Sequence, residues 1–402
     1  DHRDLHSFPT RRSSDLQLTY RELMAARSSR GSKDGYMNDA GKYENRLIKY
    51  DAHVLIGSMK SSMANNAYRD AAFILYQYHE SRKQQTIASA DDDQHYSMIA
   101  KQIFAYMKKV NPVRVNILGA AAAGKSTIIA MIKRWIQNRV DGKIGAPLIS
   151  NDERNTNTAT DGIHVSYINI NASTNNEEDE EKYAFWDFGG QEVLYSTHQF
   201  FLSEEAQYIL VVDYSKLIST NEAVRKQCID DCKYWISQIK LWTITHYSAP
   251  VIMIGTHCDL IQSRNPLNRN RYINEAEAIL RSLADSQNLR YNEKILRITT
   301  TDLYSDLAHF KSLLSILRSN TESFIYKKRG ITASSSSSSN DGLAFTIMRL
   351  QIEEEKKKER KYMMWDEYLR LFTDFNITNE EQIKSITQSL VNFGAILTYR
   401  QY

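Results

Sequence analysis

The sequence predicts an α/β protein whose largest part is a mostly parallel, six-stranded sheet with flanking helices. Two observations favour this fold. From Pro112 onward, short runs rich in β-branched and aromatic residues alternate with helical stretches, which is the pattern of βα units. The segment 171–181, between the second and third runs, is polar, ends in five consecutive acidic residues and has no helical periodicity. It therefore predicts a β-hairpin, so that one strand runs antiparallel to the others.

The individual elements follow from the hydrophobic pattern, because strands show short apolar runs and helices repeat apolar residues every three to four positions. Strands are predicted at 113–118, 163–170, 182–187, 207–213, 250–255 and 294–299. Helices are predicted at about 125–139, 220–240, 273–287 and 304–318. Together they define a domain at 111–322.

The segments on either side of this domain have a different character. Residues 17–110 repeat apolar residues at helical spacing and predict a helical region, without a motif that assigns it a role. Residues 1–16 lack the apolar stretch of a secretory signal and resemble translated sequencing-adaptor sequence, so we expect a non-native leader. Six serines at 334–339 predict a linker over 323–345.

Residues 346–402 predict a partial α+β segment. Glu353 and Glu354 precede Lys357 and Lys358 by four residues, a spacing typical of ion pairs on a solvated helix face. A capping box at Thr378 and Glu381 predicts a further helix that ends at Gly394, and a strand is expected at 395–399, where the chain stops. The segment therefore looks like a domain cut short.

Composition excludes some classes of function. The 402 residues include 51 Lys and Arg against 48 Asp and Glu, so the formal charge of +3 does not favour a nucleic-acid partner. The sequence has no apolar run of ~18 residues that would span a membrane. Three cysteines are too few for a disulfide framework, which favours a cytoplasmic protein. Cys228 and Cys232 lie one helical turn apart, and buried free thiols are a better interpretation than a metal site.

The strongest functional motif is a phosphate-binding loop. Its sequence, GAAAAGKS from Gly119 to Ser126, follows the strand VRVNIL and precedes the helical TIIAMIKRWI. Backbone N–H groups there favour a phosphate, Lys125 adds a positive charge, and the Ser126 hydroxyl is a Mg²⁺ ligand. The residues predicted to contact the nucleotide phosphates are Gly119, Ala122, Ala123, Gly124, Lys125, Ser126 and Thr127. Glycines in place of the four alanines would adopt a positive φ more readily.

A second motif follows the strand KYAFWD. Asp187, at the end of this strand, can hold Mg²⁺, and the N–H of Gly190 can reach the γ-phosphate. Gln191 can orient the attacking water. The motif is unspecific alone, but about 60 residues after a phosphate loop it predicts a nucleotide-sensitive switch.

A third motif, Thr256-His257-Cys258-Asp259, ends the apolar strand PVIMIGT. The Asp259 carboxylate can accept from both the ring N–H and the exocyclic amine of guanine, a pair that adenine does not present on that edge. Thr256, His257 and Asp259 are therefore predicted to bind the base. Guanine-nucleotide proteins usually carry Lys where His257 stands, so we expect weaker affinity with specificity kept.

The stretch WDFGGQEVLYSTHQFFLS at 186–203, together with GTHCD at 255–259, resembles the Roc (Ras of complex proteins) GTPase domain of the Roco family. The resemblance covers about 112–320 and implies a Ras-like P-loop NTPase fold. It also implies that Thr160 is the switch I threonine that serves Mg²⁺ and the γ-phosphate, and that Thr300 caps the base. A COR domain follows Roc in this family, and 364–397 looks like its first part; a complete COR domain would form a homodimer.

The expected activity is Mg²⁺-dependent hydrolysis of GTP to GDP as a signalling switch, with Lys125, Thr160 and Gln191 as catalytic residues and Ser126, Thr160 and Asp187 as metal ligands. One alternative is a scaffold that binds nucleotide without hydrolysis; another is an ATPase or kinase on the same fold. The C-terminal segment could also be a winged helix for DNA, but its stretch QIKSITQSLV carries one Lys and no Arg, which favours COR.

Overall fold

The computed structural model places every described residue in the larger of two compact units, Ser58–Tyr402. The described residues are Tyr76, Met107, Lys108, 111–141, 160, 162–170, 182–191, 193, 195–198, 201–243, 248–264, 269–299, 303–326, 339–358, 362–375, 377–396 and 398. The predictions for 1–16, and nearly all of those for 17–110, fall outside these residues.

The described part of the chain contains one six-stranded sheet, as predicted. Its strands are β1 (Val113–Leu118), β2 (Ile163–Asn169), β3 (Lys182–Phe188), β4 (Gln207–Asp213), β5 (Ile252–Thr256) and β6 (Leu296–Arg297). Their order across the sheet is β2-β3-β1-β4-β5-β6. The predicted hairpin is confirmed, because β2 pairs with β3 antiparallel while the remaining pairs are parallel. The last strand is shorter than predicted.

The helices that accompany this sheet are α1 (Lys125–Val140), α2 (Tyr195–His198), α3 (Tyr214–Leu217), α4 (Glu222–Trp242), α5 (Cys258–Arg264), α6 (Arg269–Ser286) and α7 (Leu303–Asn320). A π-helical turn, Thr321–Tyr326, continues α7. The start of α4 lies two residues later than predicted because the Asn221 side chain accepts hydrogen bonds from the N–H groups of Ala223 and Val224.

The core lies on both faces of the sheet. On one face, alternate residues of β4 pack with Trp235 and Ile239 of α4 and Leu280 of α6. On the other face α1 lies beside α7, where the rings of Trp135 and Phe310 are 5.9 Å apart. Because β1 is central and every one of its six residues is buried, the loop after it sits on a fixed base.

Three further helices follow: α8 (Ser339–Lys357), α9 (Trp365–Asp374) and α10 (Glu380–Phe393). Helix α8 begins at Ser339, inside the span predicted as linker. The predicted partners pair differently: Lys357 with Glu354 and Lys358 with Glu355 lie at i,i+3, and Glu353 pairs with Arg349 at i,i+4. No helix in the described ranges is both long and apolar enough to cross a membrane.

The ends of α10 correct one prediction and confirm another. Asn379, not Thr378, caps the helix, since its side chain accepts from the Gln382 N–H at 3.0 Å. Gly394 ends it with φ +82°, as predicted. The predicted strand at 395–399 is wrong where the chain is described, because 395, 396 and 398 form no strand.

Helix α8 is attached to the start of β1 through a buried polar contact. The Asn111 side chain donates to Thr346 Oγ1 at 2.9 Å and accepts from Arg349 Nε at 2.5 Å. All three residues are buried. The C-terminal helices therefore pack on the sheet through satisfied polar groups as well as apolar contacts.

Candidate functional site

The phosphate-binding loop connects the carboxyl end of β1 to α1. Gly119 leaves the strand at φ +148°, and a Cβ there would lie 2.3 Å from the Val211 carbonyl oxygen. Gly124 is the N-cap of α1 at φ +93° and provides no side-chain cap. The N–H groups of the first turn, where Ser126 and Thr127 lie, are therefore free of side-chain capping and carry the positive end of the helix dipole. The predicted phosphate-binding loop therefore lies at a helix N-terminus of the kind that favours an anion.

The alanines of this loop require an uncommon backbone conformation at one position. Ala122 has φ +58°, in the left-handed region that costs an L-residue about 1 kcal/mol. Ala121 does not have a positive φ. Both are exposed. Among the four alanines, only Ala122 adopts the conformation that glycine would adopt without strain.

Lys125 lies under the loop with its charge directed at it. Its side chain is buried, and Nζ donates to the carbonyl oxygens of Gly119 at 2.9 Å and Ala120 at 2.8 Å. Burial lowers the pKa of Lys125 to about 8, and the nearby Asp187 carboxylate partly opposes this shift. The ammonium is therefore held in a poorly solvated position beside the place where a phosphate would sit.

Three side-chain oxygens meet next to this lysine. Ser126 Oγ lies 2.5 Å from Asp187 Oδ2 and 2.9 Å from Thr160 Oγ1, and Thr160 Oγ1 lies 3.2 Å from Asp187 Oδ2. Asp187 is buried, and its Oδ1 atom has no hydrogen-bond partner in the described part of the chain. A buried carboxylate with one free oxygen and two adjacent hydroxyls is an oxygen ligand set of the kind that Mg²⁺ prefers.

Gly190 packs against the phosphate-binding loop. A Cβ on it would lie 2.3 Å from the backbone nitrogen of Ala121 and 2.6 Å from the carbonyl oxygen of Ala120. Its own carbonyl accepts from the Tyr195 hydroxyl at 3.3 Å. Gln191, the next residue, is exposed at the mouth of the site. The segment after β3 can therefore touch the loop only because residue 190 has no side chain.

The base-recognition motif is tied to the same loop. The Thr256 hydroxyl is buried and donates to the Ala123 carbonyl at 2.8 Å. His257 has φ +55°, and its Nδ1 lies 3.6 Å from Asp213 Oδ2. Asp259 lies in the first turn of α5 and is half-buried. Thr300 falls outside the described residues. Lys125, Asp187 and Asp259 thus all lie at the carboxyl edge of the sheet.

Asp213 is a site residue that the sequence motifs missed. It ends β4 opposite Thr256 in the register, and its carboxylate accepts from the N–H and hydroxyl of Ser215. It also lies beside His257, whose side chain is 33% exposed and whose Nδ1 is 3.6 Å from Asp213 Oδ2. The signal in the sequence was an acidic residue at the end of an apolar strand, in line with Asp187.

A cavity of about 570 Å³ opens beside the loop. It lies between the phosphate-binding loop, the segment after β3, β4 and α4. Its lining includes Gln191, Lys216, Gln227, Cys228, Cys232 and Trp235. The three cysteines of the chain, Cys228, Cys232 and Cys258, are free and buried. The cavity gives Gln191 room beside the loop.

His198 is a second residue without a predicted role. It is 1% exposed and packs among Phe188, Tyr195 and Trp235, with the Phe188 ring edge-on at 5.1 Å. Neither ring nitrogen has a hydrogen-bond partner in the described ranges. Burial, and then the charge of Lys125, lower the pKa of His198 to about 4. It is therefore held as the neutral imidazole.

Comparison with known proteins is consistent with this geometry. Residues 114–259 match a family model described as "Ras of Complex, Roc, domain of DAPkinase". In Dictyostelium discoideum, cyclic GMP-binding protein C is 23% identical over 297 residues, 71% of this chain and 10% of that protein. The probable serine/threonine-protein kinase pats1 is 24% identical over 325 residues, 75% of this chain and 9% of that protein. The probable serine/threonine-protein kinase roco11 is 33% identical over 150 residues, 37% and 8% of the two chains.

The chain spans about a tenth of the length of these curated relatives. Among solved structures, Methanosarcina barkeri Roco2 RocCORdC bound to GDP matches 73% of this chain and 70% of that chain, with a TM-score of 0.42 and 19% identity. The fold itself is evident from the sheet order and from the loop between β1 and α1. These features and the family match show that residues 114–259 have a P-loop fold and are similar to Roc domains, the GTP-binding domains of the Roco family.

Proposed function

We propose that this chain is a Mg²⁺-dependent switch that binds GTP and GDP and slowly hydrolyses GTP. The observation that supports it best is the meeting of Ser126, Thr160 and Asp187 within 3.2 Å beside the buried Lys125. In this arrangement a cation site and a phosphate site lie side by side at the carboxyl edge of the sheet. Triphosphate binding needs both, because the phosphate oxygens must be matched by positive charge.

The phosphates would be held by the turn from Gly119 to Gly124 and by the first turn of α1. The N–H groups there, including those of Ala122 and Thr127, would donate to phosphate oxygens. The Ala123 N–H, which donates to the Ala120 carbonyl at 3.3 Å, would turn to the phosphate as well. Lys125 would turn from the loop carbonyls that it now contacts to the β- and γ-phosphates. This exchange replaces neutral acceptors with anionic ones and therefore favours binding.

The metal would be held by the oxygens of Ser126, Thr160 and Asp187, with Asp187 acting directly or through a water. No cluster of three His, Cys, Asp or Glu side chains lies in the described residues, so hydroxyl and phosphate oxygens would complete the coordination. When bound, Mg²⁺ would neutralise charge on the β- and γ-phosphates. Thr160 would then be a residue whose position depends on the nucleotide state.

Hydrolysis would rely on positioning more than on acid–base chemistry. The exposed Gln191 side chain can orient a water, and the N–H of Gly190 can donate to the γ-phosphate at the loop that it already touches. Loss of the γ-phosphate would release switch I (about 141–162) and switch II (188–203). The change in these segments would be the signal.

Specificity for guanine would come from Asp259, which can accept two hydrogen bonds from the base. Thr256 would hold the motif on the loop, and His257 would lie near the base while paired with Asp213. Thr300 would contribute from outside the described residues.

The C-terminal segment extends the proposal. We propose that 346–402 is the first part of a COR domain, that a complete COR domain would form a homodimer, and that the protein acts in the cytoplasm. The assignment to a COR domain is supported by helices α8 and α10, because both contact residues at or just before β1.

Thermal unfolding with GDP, a GTP analogue and ATP tests the binding step. A ligand at a hundred times its dissociation constant should stabilise the protein by about 2.7 kcal/mol. We expect this shift for the guanine nucleotides with Mg²⁺, and a smaller one with EDTA. An equal shift with ATP would favour an ATPase or kinase instead.

Release of phosphate from GTP tests hydrolysis. Lys125→Ala should abolish it, while Lys133→Ala, which removes an exposed lysine of the same helix, should leave it unchanged. Tight GTP binding without turnover would favour the alternative, a non-hydrolysing scaffold. Its support is the sequence of the two motifs, since alanines fill the phosphate-binding loop and His257 stands where Lys is usual.

A further inference from the structure

Arg114 carries a buried positive charge in the middle of the sheet. It lies on β1 and is 3% exposed. Its guanidinium stacks on the Trp186 ring at 3.7 Å. Burial lowers the pKa of Arg114 to about 10, so the group remains a cation at neutral pH. Burying a cation costs free energy unless its N–H groups are all hydrogen-bonded. The groups that accept these hydrogen bonds are therefore important for the stability of this region.

The hydrogen-bond partners of Arg114 in the described residues are neutral oxygens. Nε donates to Asn116 Oδ1 at 2.9 Å. One terminal nitrogen donates to the Phe201 carbonyl and the other to the Asn392 carbonyl at 3.4 Å. Phe201 and Asn392 are far apart in the sequence, and one side chain joins them.

These two carbonyls belong to elements of different kinds. Phe201 lies near the end of switch II, and Asn392 lies in the last turn of α10. The carbonyls of a helix C-terminus carry partial negative charge, which suits a cation. Switch II and α10 therefore both bond to the same cation, the guanidinium of Arg114.

The end of α10 also lies over the same place. Gly394 has φ +82°, and a Cβ there would lie 3.4 Å from Trp186 and 3.5 Å from Arg114. Trp186 in turn directly precedes the metal-site residue Asp187 on β3, and its ring lies 6.4 Å from that of Phe201. The contact is thus one residue away from the proposed metal site along one strand.

The next turn of the chain fixes the position of Phe201. The Tyr208 hydroxyl donates to the Ser203 carbonyl at 2.7 Å and accepts from the Ser203 N–H at 2.8 Å. Tyr208 is fully buried and pairs with Asn116 across the β1–β4 register. Switch II therefore joins the sheet at Ser203, and the Phe201 carbonyl is the contact just before this anchor.

We propose that Arg114 is a positioning residue through which α10 and the end of switch II stabilise each other, so that docking of α10 favours one nucleotide state over the other. The inference rests on the proposed nucleotide switch and names a route for its regulation. If either carbonyl moves away, a buried N–H group loses its acceptor. The two elements therefore favour their joint arrangement, and by linkage the nucleotide must affect α10 as much as α10 affects nucleotide affinity.

Nucleotide selectivity in the full chain tests this route. We would measure dissociation constants for GDP and a non-hydrolysable GTP analogue in wild type, Arg114→Met, Gly394→Ala and the double variant. Ser385→Ala, at an exposed position of α10, is the control. We expect each single substitution to change the ratio of the two constants by about fivefold or more. Arg114→Met removes the donor, and Gly394→Ala strains the end of α10 because its φ is +82°. The double variant should change the ratio no more than one single does, because both substitutions act on the same contact.

Hydrogen exchange supplies a readout that does not depend on the variants folding well. Exchange of peptides covering 388–394 in wild type should differ between the GDP and analogue complexes, and Gly394→Ala should remove the difference. A merely structural role would weaken both nucleotides equally and leave exchange in α10 unaffected by nucleotide; either result overturns the inference. Wild type that binds neither nucleotide overturns the proposed function and the inference with it. Wild type that binds both, with an unchanged ratio in the variants, overturns the inference alone.

Discussion

The hydroxyl of Thr256 donates to the carbonyl of Ala123 at 2.8 Å, so the base-recognition motif is bonded directly to the phosphate-binding loop. The same hydroxyl lies 3.2 Å from the Val212 carbonyl. Both carbonyls are far from Thr256 in the sequence. The two parts of the proposed nucleotide site are therefore bonded to each other within the protein.

Replacing this hydroxyl should loosen the site. Thr256→Val keeps the shape but leaves the Ala123 carbonyl without its donor, which costs about 1–2 kcal/mol. We expect a lower free energy of unfolding and several-fold weaker GDP binding, measured by denaturation and by fluorescent-nucleotide titration. Thr256→Ser, which keeps the hydroxyl, should retain most of both. Equal effects of the two substitutions would contradict the role given to the bond.

Ala122→Gly should stabilise the protein. Ala122 has φ +58°, and glycine adopts this conformation without the steric penalty, so we expect a gain of about 0.5–1 kcal/mol in the free energy of unfolding. Ala121→Gly is the matched control: it lacks a positive φ and should be neutral or destabilising. Urea unfolding of the two variants decides the matter, and a loss of stability at 122 would speak against the strain.

Gly190→Ala should act on the triphosphate more than on the diphosphate. The added Cβ would collide with backbone atoms of Ala120 and Ala121, which cannot give way as a flexible side chain can. Switch II would therefore move off the loop, and its proposed contact with the γ-phosphate would be lost. We expect at least tenfold weaker binding of a GTP analogue, about 1.4 kcal/mol, with GDP binding changed less. Equal losses for both nucleotides would rule out a γ-phosphate role.

Asp259→Asn should alter base preference. An amide offers a donor where the carboxylate offered an acceptor, so it suits the carbonyl of xanthine in place of the amine of guanine. We expect GTP affinity to fall about 10- to 100-fold and xanthosine triphosphate affinity to rise. Asp230→Asn, on the exposed part of α4, controls for the charge change. Unchanged preference would mean that Asp259 does not read the base.

Stability should depend on pH through His198. Its pKa is lowered to about 4 in the folded protein, against about 6.5 when unfolded. The unfolded chain therefore binds more protons between these values, and stability is lost as pH falls from about 6.5 towards 4. We expect roughly 1–2 kcal/mol of the loss between pH 7 and pH 5 to come from this residue.

His198→Phe should remove that part of the pH dependence, because phenylalanine fits the aromatic cluster without a titrating group. Urea unfolding at pH 7 and pH 5 measures it. His164→Phe, at an exposed position of β2, shows whether loss of any histidine would suffice. An unchanged slope in His198→Phe would mean that the imidazole is not held neutral.

The sequence was sufficient for the sheet and the motifs, for physical reasons. The bounds of β1 and β4 were predicted to the residue because apolar runs flanked by polar residues leave little choice. Strand β6 has two residues where six were predicted, since the length of a strand depends on its pairing with the neighbouring strand and not only on its apolar sequence. The cap of α10 shifted from Thr378 to Asn379, because two adjacent polar residues suit the same role.

The parts that could not be predicted involve contacts between distant segments. The strand VRVNIL alternates apolar and polar residues, which is typical of a half-exposed strand, yet Arg114 and Asn116 are buried because switch II and α10 cover them. The pairing of His257 with Asp213 likewise needs two strand ends to meet. The spacing of a motif therefore predicts which side chains lie in the site. The burial and the neighbours of those side chains depend on tertiary contacts.

Strand β1 is short and wholly buried. The phosphate-binding loop follows its carboxyl end, and Asn111, which bonds to α8, lies just before its amino end. Six extended residues span about 20 Å, and neighbours on both sides prevent bending. Thr346 and Arg349 of α8 are therefore bonded to the base of the sheet and not to the proposed switch segments. Helix α10 is thereby held in place relative to the sheet. A displacement of Phe201 would therefore change the contact that Phe201 and α10 share through Arg114.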